Sequence, residues 1–215
     1  MAATTRAFVA ISLPQKQIER LTQLQTRLAG HVENVRWVAS ETLHLTLAFL
    51  GDVRDSELNA ICKTVQECCR DFKPFELELE KIGVFPKPEA PRVYWAGLVG
   101  SDGAMAELTG LHRALTEALS RAGWPPIDNR FAPHVTIGRT RQDRGRRGRD
   151  RDHESDQDSD DAAPTDASDT IRAFSRWKGG PFAVSQVLVY SSSLRPDGPL
   201  YTVLSRAPLK GDGDR

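Results

Sequence analysis

Two short strings carry residues suited to chemistry: His44-Leu45-Thr46-Leu47 and His134-Val135-Thr136-Ile137. Each alternates polar with apolar residues, the pattern of a strand whose side chains point to opposite faces in turn. His44 and Thr46 then share one face, as do His134 and Thr136, while Leu45, Leu47, Val135 and Ile137 anchor the strands in a core. Histidine, with an ordinary pKa of about 6.5, takes or gives a proton near neutral pH. Two imidazoles on opposite sides of one phosphorus suit an in-line displacement: a neutral ring deprotonates the attacking oxygen and a protonated ring protonates the departing one. The hydroxyls of Thr46 and Thr136 suit the non-bridging phosphate oxygens. Arg139 could add positive charge, but strict alternation aims it away from His134 unless Gly138 bends the strand or the strand has ended.

Histidine is also a common metal ligand. Neither string has an acid or cysteine close by, although Asp52 and Asp128 are not far in sequence, and no metal or other cofactor is expected. His31 and His112 lie in or near helical segments without a matching partner and read as surface or packing residues. His153 falls in a charged segment and has no evident role.

The elements that must position the two strings follow a repeated order. A strand over 6–13, closed by Pro14, leads to a helix with Ile18, Leu21, Leu24 and Leu28 at helical spacing, ended by Gly30. A short strand over 35–38 precedes the first motif strand, 43–50, closed by Gly51-Asp52. A helix over 55–72 puts Leu58, Ile61, Val65 and Cys68 or Cys69 on one face. A cleanly alternating strand over 75–82 and a turn-rich stretch over 83–91 complete the first half. The second half offers a strand over 92–98 and a helix over 105–122, striped by Leu108, Leu111, Leu115 and Leu119. The second motif strand spans 133–139, a short helix 170–178, and a strand over 182–191 pairs with 200–207 across a turn at 195–198. Arg6 and Arg92 precede their motif histidines at similar distances, and Phe75 and Phe182 open the corresponding last strands. The repeat predicts an α+β fold of two pseudo-symmetric lobes, with the motif strands meeting at a central cleft.

Composition bounds the rest. The chain has 215 residues, 39% hydrophobic and 27% charged, within the range of a soluble globular protein. Its 29 acids balance 29 bases, so net charge points to no partner. Cys62, Cys68 and Cys69 form neither a disulfide framework nor a zinc site and read as reduced thiols. Neither a signal peptide nor a stretch long enough for a membrane span is evident, so a cytoplasmic protein without a membrane partner is expected. One domain of two lobes is expected over 1–215, with a disordered insertion over 141–169, Arg-rich then Asp-rich, and a flexible tail over 208–215. The insertion reads as a linker whose opposite charges partly neutralise each other.

The strings HLTLAFLGDV and APHVTIGR resemble the two signature motifs of the two-histidine phosphoesterase superfamily. Within it the resemblance is to the RNA 2′,3′-cyclic phosphodiesterases, historically termed 2′-5′ RNA ligases (LigT-like). RAFVAISLP, RWVASETLHLTLAFLG, IGVFPKPEAPRVYWAG and VLVYSSSLRPDGPLY extend it over nearly the whole chain except 141–169. The resemblance implies a bilobal α+β fold, antiparallel sheets with flanking helices around a central groove. It also implies metal-independent hydrolysis of a terminal 2′,3′-cyclic phosphate to a 2′-phosphate, with RNA as partner and no obligate protein partner. By this resemblance His44 is the proton donor, His134 the proton acceptor, and Thr46, Thr136 and Arg139 hold the phosphate. Phe8, Trp37, Phe85 and Tyr190 are candidates to stack on a base, with core packing the commoner role for each taken singly, and Arg36 and Arg92 meet phosphates if they face the groove and are surface charges otherwise. Joining of tRNA halves by the same site in reverse, or RNA binding without turnover, are the alternative functions.

Overall fold

The structure, a computed structural model, describes residues 3–127, 131–141, 166–195 and 198–211. The described elements run β1 (Thr4–Ser12), α1 (Gln15–Leu28), β2 (Val35–Trp37), β3 (His44–Arg54), α2 (Leu58–Cys69), β4 (Phe75–Lys87), β5 (Ala90–Val99), α3 (Asp102–Arg121), β6 (His134–Thr140), α4 (Ser168–Ala173), β7 (Lys178–Val184), β8 (Gln186–Arg195) and β9 (Gly198–Pro208). The strands form one antiparallel sheet in the order β7-β4-β5-β6-β3-β1-β8-β9, with β2 alongside β6.

The order is symmetric about its centre. The two motif strands β6 and β3 are neighbours, joined at Leu45 and Val135, and each is flanked by the strand that opens its own half, β5 or β1. The lobes expected from the repeat are the two halves of this sheet. The next strand out belongs to the opposite half of the chain: β4 lies beside β5, and β8 beside β1. The halves are thereby interlaced, and neither sheet half is complete without a strand from the other.

The helices lie on the sheet through the stripes their sequences offered. Leu21, Leu24 and Leu28 of α1, Ile61 and Val65 of α2, and Leu108, Leu111, Leu115 and Leu119 of α3 are fully buried. They meet the inward set of the sheet, which includes Ala7, Val9, Ile11, Leu45, Leu47, Ala96, Val135 and Ile137. Each fully buried leucine contributes roughly 1.5–3 kcal/mol. The Ser101 hydroxyl caps α3 by accepting the Ala104 N–H at 3.2 Å. Gly123, at φ 95°, lets the chain turn off the far end of α3, where the Trp124 N–H donates to the Leu119 carbonyl at 2.9 Å.

Several boundaries differ from the sequence expectations. β3 runs past Gly51-Asp52 to Arg54, because Gly51 at φ 71° absorbs an irregularity without ending the ladder to β1. The stretch expected to be turn-rich is a β4–β5 hairpin, paired as far as Lys87 and Ala90. The strand expected over 182–191 is two strands broken at Ser185, and they lie towards opposite ends of the sheet. Phe75 and Phe182 therefore open no symmetry-related strands: β4 pairs with β7, with Leu77 facing Phe182. The true counterpart of β4 is β8. By cross-strand register Arg92 corresponds to Ala7, one residue from Arg6, because Ser12 faces His44 as Gly97 faces His134.

Most of the expected insertion, 142–165, lies outside the described residues, and so does His153. At its far end Ala167 is fully buried, its N–H donates to the Pro88 carbonyl at 2.9 Å, and α4 begins at Ser168. Of the tail expected over 208–215, the described residues 208–211 are held in place. Leu209 is buried and donates to the Ser185 carbonyl, and the Gly211 N–H donates to the Phe72 carbonyl, each at 2.9 Å.

Candidate active site

The single bridge between the two halves of the sheet determines the site. With Leu45 facing Val135, His44 and Thr46 flank that bridge on β3, and His134 and Thr136 flank it on β6. The two histidines are each one residue from that bridge, on one face, and His134 acts electrostatically on the His44 ring. The alternation holds: Leu45, Leu47, Val135 and Ile137 are buried, while His44, Thr46, His134 and Thr136 are half-buried on the opposite face.

Each imidazole is oriented in the same way. Nδ1 of His44 lies 2.7 Å from the Thr42 carbonyl, and Nδ1 of His134 lies 2.6 Å from the Ala132 carbonyl. A carbonyl oxygen only accepts, so Nδ1 carries the proton in both rings and Nε2 is left for chemistry in both. The Thr42 carbonyl belongs to a 3-10 turn over Ser40–Thr42, held by the Thr42 N–H and hydroxyl, both donating to the Ala39 carbonyl at 2.9 Å.

The electrostatics are also shared. Burial lowers the pKa of His44 below the usual histidine value; the Thr42 carbonyl opposes this, and His134 and Arg139 reinforce it. Burial lowers His134 too, opposed by the Ala132 carbonyl and reinforced by Arg139. Without a bound anion both rings are therefore biased towards the neutral form.

Arg139 reaches this face although β6 neither bends out nor ends before it. Tyr94 faces Gly138 while Trp95 faces Thr136, which leaves Ile137 as an extra residue, a β-bulge. Ile137 and Gly138 are both buried, alternation skips one step, and Arg139 emerges exposed on the histidine side. The bulged carbonyl of Ile137 is satisfied by the side-chain amide of Gln25 at 2.9 Å and by the Val38 N–H at 3.0 Å. The first motif strand carries the same device. Val9 faces Ala48 and Ala10 faces Thr46, so Leu47 is extra, and Phe49 emerges on the histidine side, 44% exposed.

Aromatic rings wall both histidines. Phe8 lies 5.0 Å and Tyr201 5.4 Å from the His44 ring, centroid to centroid. Phe85 lies 5.2 Å and Trp95 6.4 Å from His134. Among the four candidates for base stacking, Phe8 is only 2% exposed, with Tyr190 stacked at 5.1 Å and the edge of Tyr201 at 4.9 Å. Its faces are covered, so it supports His44 and offers no platform to a base. Trp37 packs beside Tyr94 at 6.1 Å and over Gly138, where a Cβ would come within 2.8 Å of its ring. It braces the strand of Arg139. Phe85 and Tyr190 remain half-buried at the site. Tyr201, Trp95, Phe49 and Gln25 were not singled out by sequence reading. Gln25 had a signal there: a polar residue on the Leu21-Leu24-Leu28 stripe, 6% exposed. Arg6 and Arg139 both act on the Tyr201 phenol, lowering a pKa that burial raises. Arg36 faces Arg139 across β2 and β6, whereas Arg92 lies one residue off the register of Arg6.

No helix among the described residues is long and apolar enough to cross a membrane. Residues 11–95, which include the first motif but not the second, match the family model described as LigT like Phosphoesterase. The chain is 30% identical over 197 residues to the RNA 2′,3′-cyclic phosphodiesterase of Methanothermobacter thermautotrophicus, covering 92% of this chain and 95% of the relative. It is 31% identical over 196 residues to the enzyme of the same name from Archaeoglobus fulgidus, covering 91% and 96%. Among solved structures, E. coli LigT complexed with 3′-AMP is similar at a TM-score of 0.67 and 25% identity, covering 96% of this chain and 99% of that one.

Proposed function

The chain belongs to the LigT-like phosphoesterases, and we propose that it is an RNA 2′,3′-cyclic phosphodiesterase that opens a terminal 2′,3′-cyclic phosphate to a 2′-phosphate. The observation that carries this reading is the matched pair of imidazoles, each with Nδ1 committed to a backbone carbonyl and Nε2 free. In this mechanism Nε2 of His134, neutral, takes a proton from water as the water oxygen attacks phosphorus. The bond from phosphorus to the 3′ oxygen breaks, and Nε2 of His44 gives its proton to that oxygen. The assignment of donor and acceptor follows the family resemblance.

Burial biases His44 towards the neutral form, so its role as acid depends on the substrate. The cyclic phosphate is an anion, and an anion beside an imidazole favours the imidazolium. Substrate binding thus charges the acid that the reaction consumes. Thr46 and Thr136 donate their hydroxyls to the non-bridging oxygens, and Arg139 supplies the fixed positive charge. Phe85 and Tyr190 border the base of the terminal nucleotide, together with Phe49. We place the reaction in the cytoplasm, where the unbridged thiols Cys62, Cys68 and Cys69 stay reduced.

The test is an oligonucleotide ending in a 2′,3′-cyclic phosphate, incubated with the protein and a chelator. A 2′-phosphate is expected, and H44A and H134A should each slow its release by about 10²–10⁴-fold. A 3′-phosphate product, no turnover, or two fully active variants would overturn the reading.

A further inference from the structure

The two histidines make the same contact, each with a backbone carbonyl two residues back. The Thr42 carbonyl that orients His44 is built into a hydrogen-bonded 3-10 turn. Ahead of His134, 131–133 run in without regular structure. A side chain packs against that segment. The Phe131 ring lies flat on the His112 imidazole, with centroids 3.9 Å apart and planes 8° from parallel.

His112 sits on the buried stripe of α3 with Leu108, Leu111 and Leu115, and is 9% exposed. The catalytic proposal does not use it. Burial keeps it below the ordinary histidine pKa, so the ring stacks as a neutral aromatic. Phe131 is the residue immediately before Ala132, whose carbonyl receives Nδ1 of His134. A flat stack restrains Phe131 in height and tilt, and one peptide unit onwards that restraint falls on the carbonyl.

We propose that His112 is a positioning residue: stacked on Phe131, it holds the Ala132 carbonyl in place and so fixes the tautomer and direction of His134. The importance of His134 in turnover rests on the function proposed above, but its orientation does not, so the experiment reads the ring rather than the reaction. Protein carrying nitrogen-15 histidine is followed by NMR through a pH titration, as wild type, His112→Leu, His112→Phe and Phe131→Leu. His112→Leu keeps the α3 face apolar and removes the stack. Losing the carbonyl contact removes an interaction that raises the pKa of His134. The expected result is therefore a lower His134 pKa and a loss of the Nδ1-protonated tautomer in His112→Leu and Phe131→Leu. His112→Phe, which restores a flat ring, should return both to wild type. His44, supported by its own turn, is expected to keep its Nδ1-protonated tautomer throughout. Unchanged His134 signals in the leucine variants would overturn the proposal. So would parallel movement of His44 and His134, the sign of general loosening. A catalytic rate that fell without any change at His134 would count against it too.

Discussion

Arg139 on β6 occupies the place that Phe49 occupies on β3. Each follows its motif histidine by five residues, and each is delivered to the histidine face by a bulge at the motif's fourth residue, Ile137 or Leu47. The backbone is symmetric here and the side chains are not. One side of the phosphate site offers a guanidinium and the other an exposed aromatic ring. A cyclic nucleotide has the same two-sided character, with the charge of its phosphate and the flat face of its base.

The guanidinium has a consequence for pH dependence. Arg139 pushes both histidine pKa values down, so Arg139→Ala should let both rise. In a profile of kcat/KM against pH, the acid limb reports the free enzyme's base, and it should move to higher pH in Arg139→Ala. Arg139→Lys keeps the charge and should leave the limb in place. Loss of a charge-assisted contact of about 1.5–3 kcal/mol should also cost roughly 10- to 100-fold in kcat/KM for Arg139→Ala. A limb that stays put in the alanine variant would mean that Arg139 does not act on the rings.

Phe49 makes a separate prediction. It is 44% exposed and lies 5.8 Å from Phe8, so truncating it leaves little cavity. Base-on-aromatic stacking is worth about 1–3 kcal/mol. Steady-state kinetics on a cyclic-phosphate oligonucleotide should show KM for Phe49→Ala raised by about 5- to 100-fold with kcat nearly unchanged. A fall in kcat alone would assign Phe49 to packing.

Gln25 connects α1 to the bulge. Its amide donates to the carbonyls of Ile137 and Val38, at 2.9 and 2.8 Å. Gln25→Leu removes both bonds and is expected to cost about 1–3 kcal/mol in a denaturant titration. Because the Ile137 bulge aims Arg139, kcat/KM should fall beyond what lost stability explains in fully folded protein. Wild-type kinetics in the folded variant would show that the bulge holds itself.

The parts of this structure legible in the sequence are those written in a period of two or of three to four. The H-x-T-x alternation separated the half-buried face that carries the histidines from the anchoring face, and the leucine stripes of α1 and α3 named the core. The repeat of element order brought the two motif strands to the middle of the fold. The bulges were not legible, because Leu47 and Ile137 sit in apolar runs where an extra buried residue leaves no mark. Ser185 was missed because the strand formers on either side of the polar pair Ser185-Gln186 read as one strand, while the chain there passes from one end of the sheet towards the other. Tyr201 and Trp95 come to the histidines by strand pairings between distant segments, which spacing along the chain does not encode. Phe8 was open in the sequence to base stacking or core packing, and Tyr190 and Tyr201 decide for packing by covering it.

The central claim is that His44 and His134 grip one phosphorus from two sides through Nε2. A crystal structure of the protein with a bound 2′-nucleotide, the product, measures this directly. The account predicts that both Nε2 atoms lie within about 3.5 Å of oxygens on the same phosphate, with Nδ1 of each ring still on its carbonyl. A phosphate held by one ring alone, or seated away from both, would contradict it.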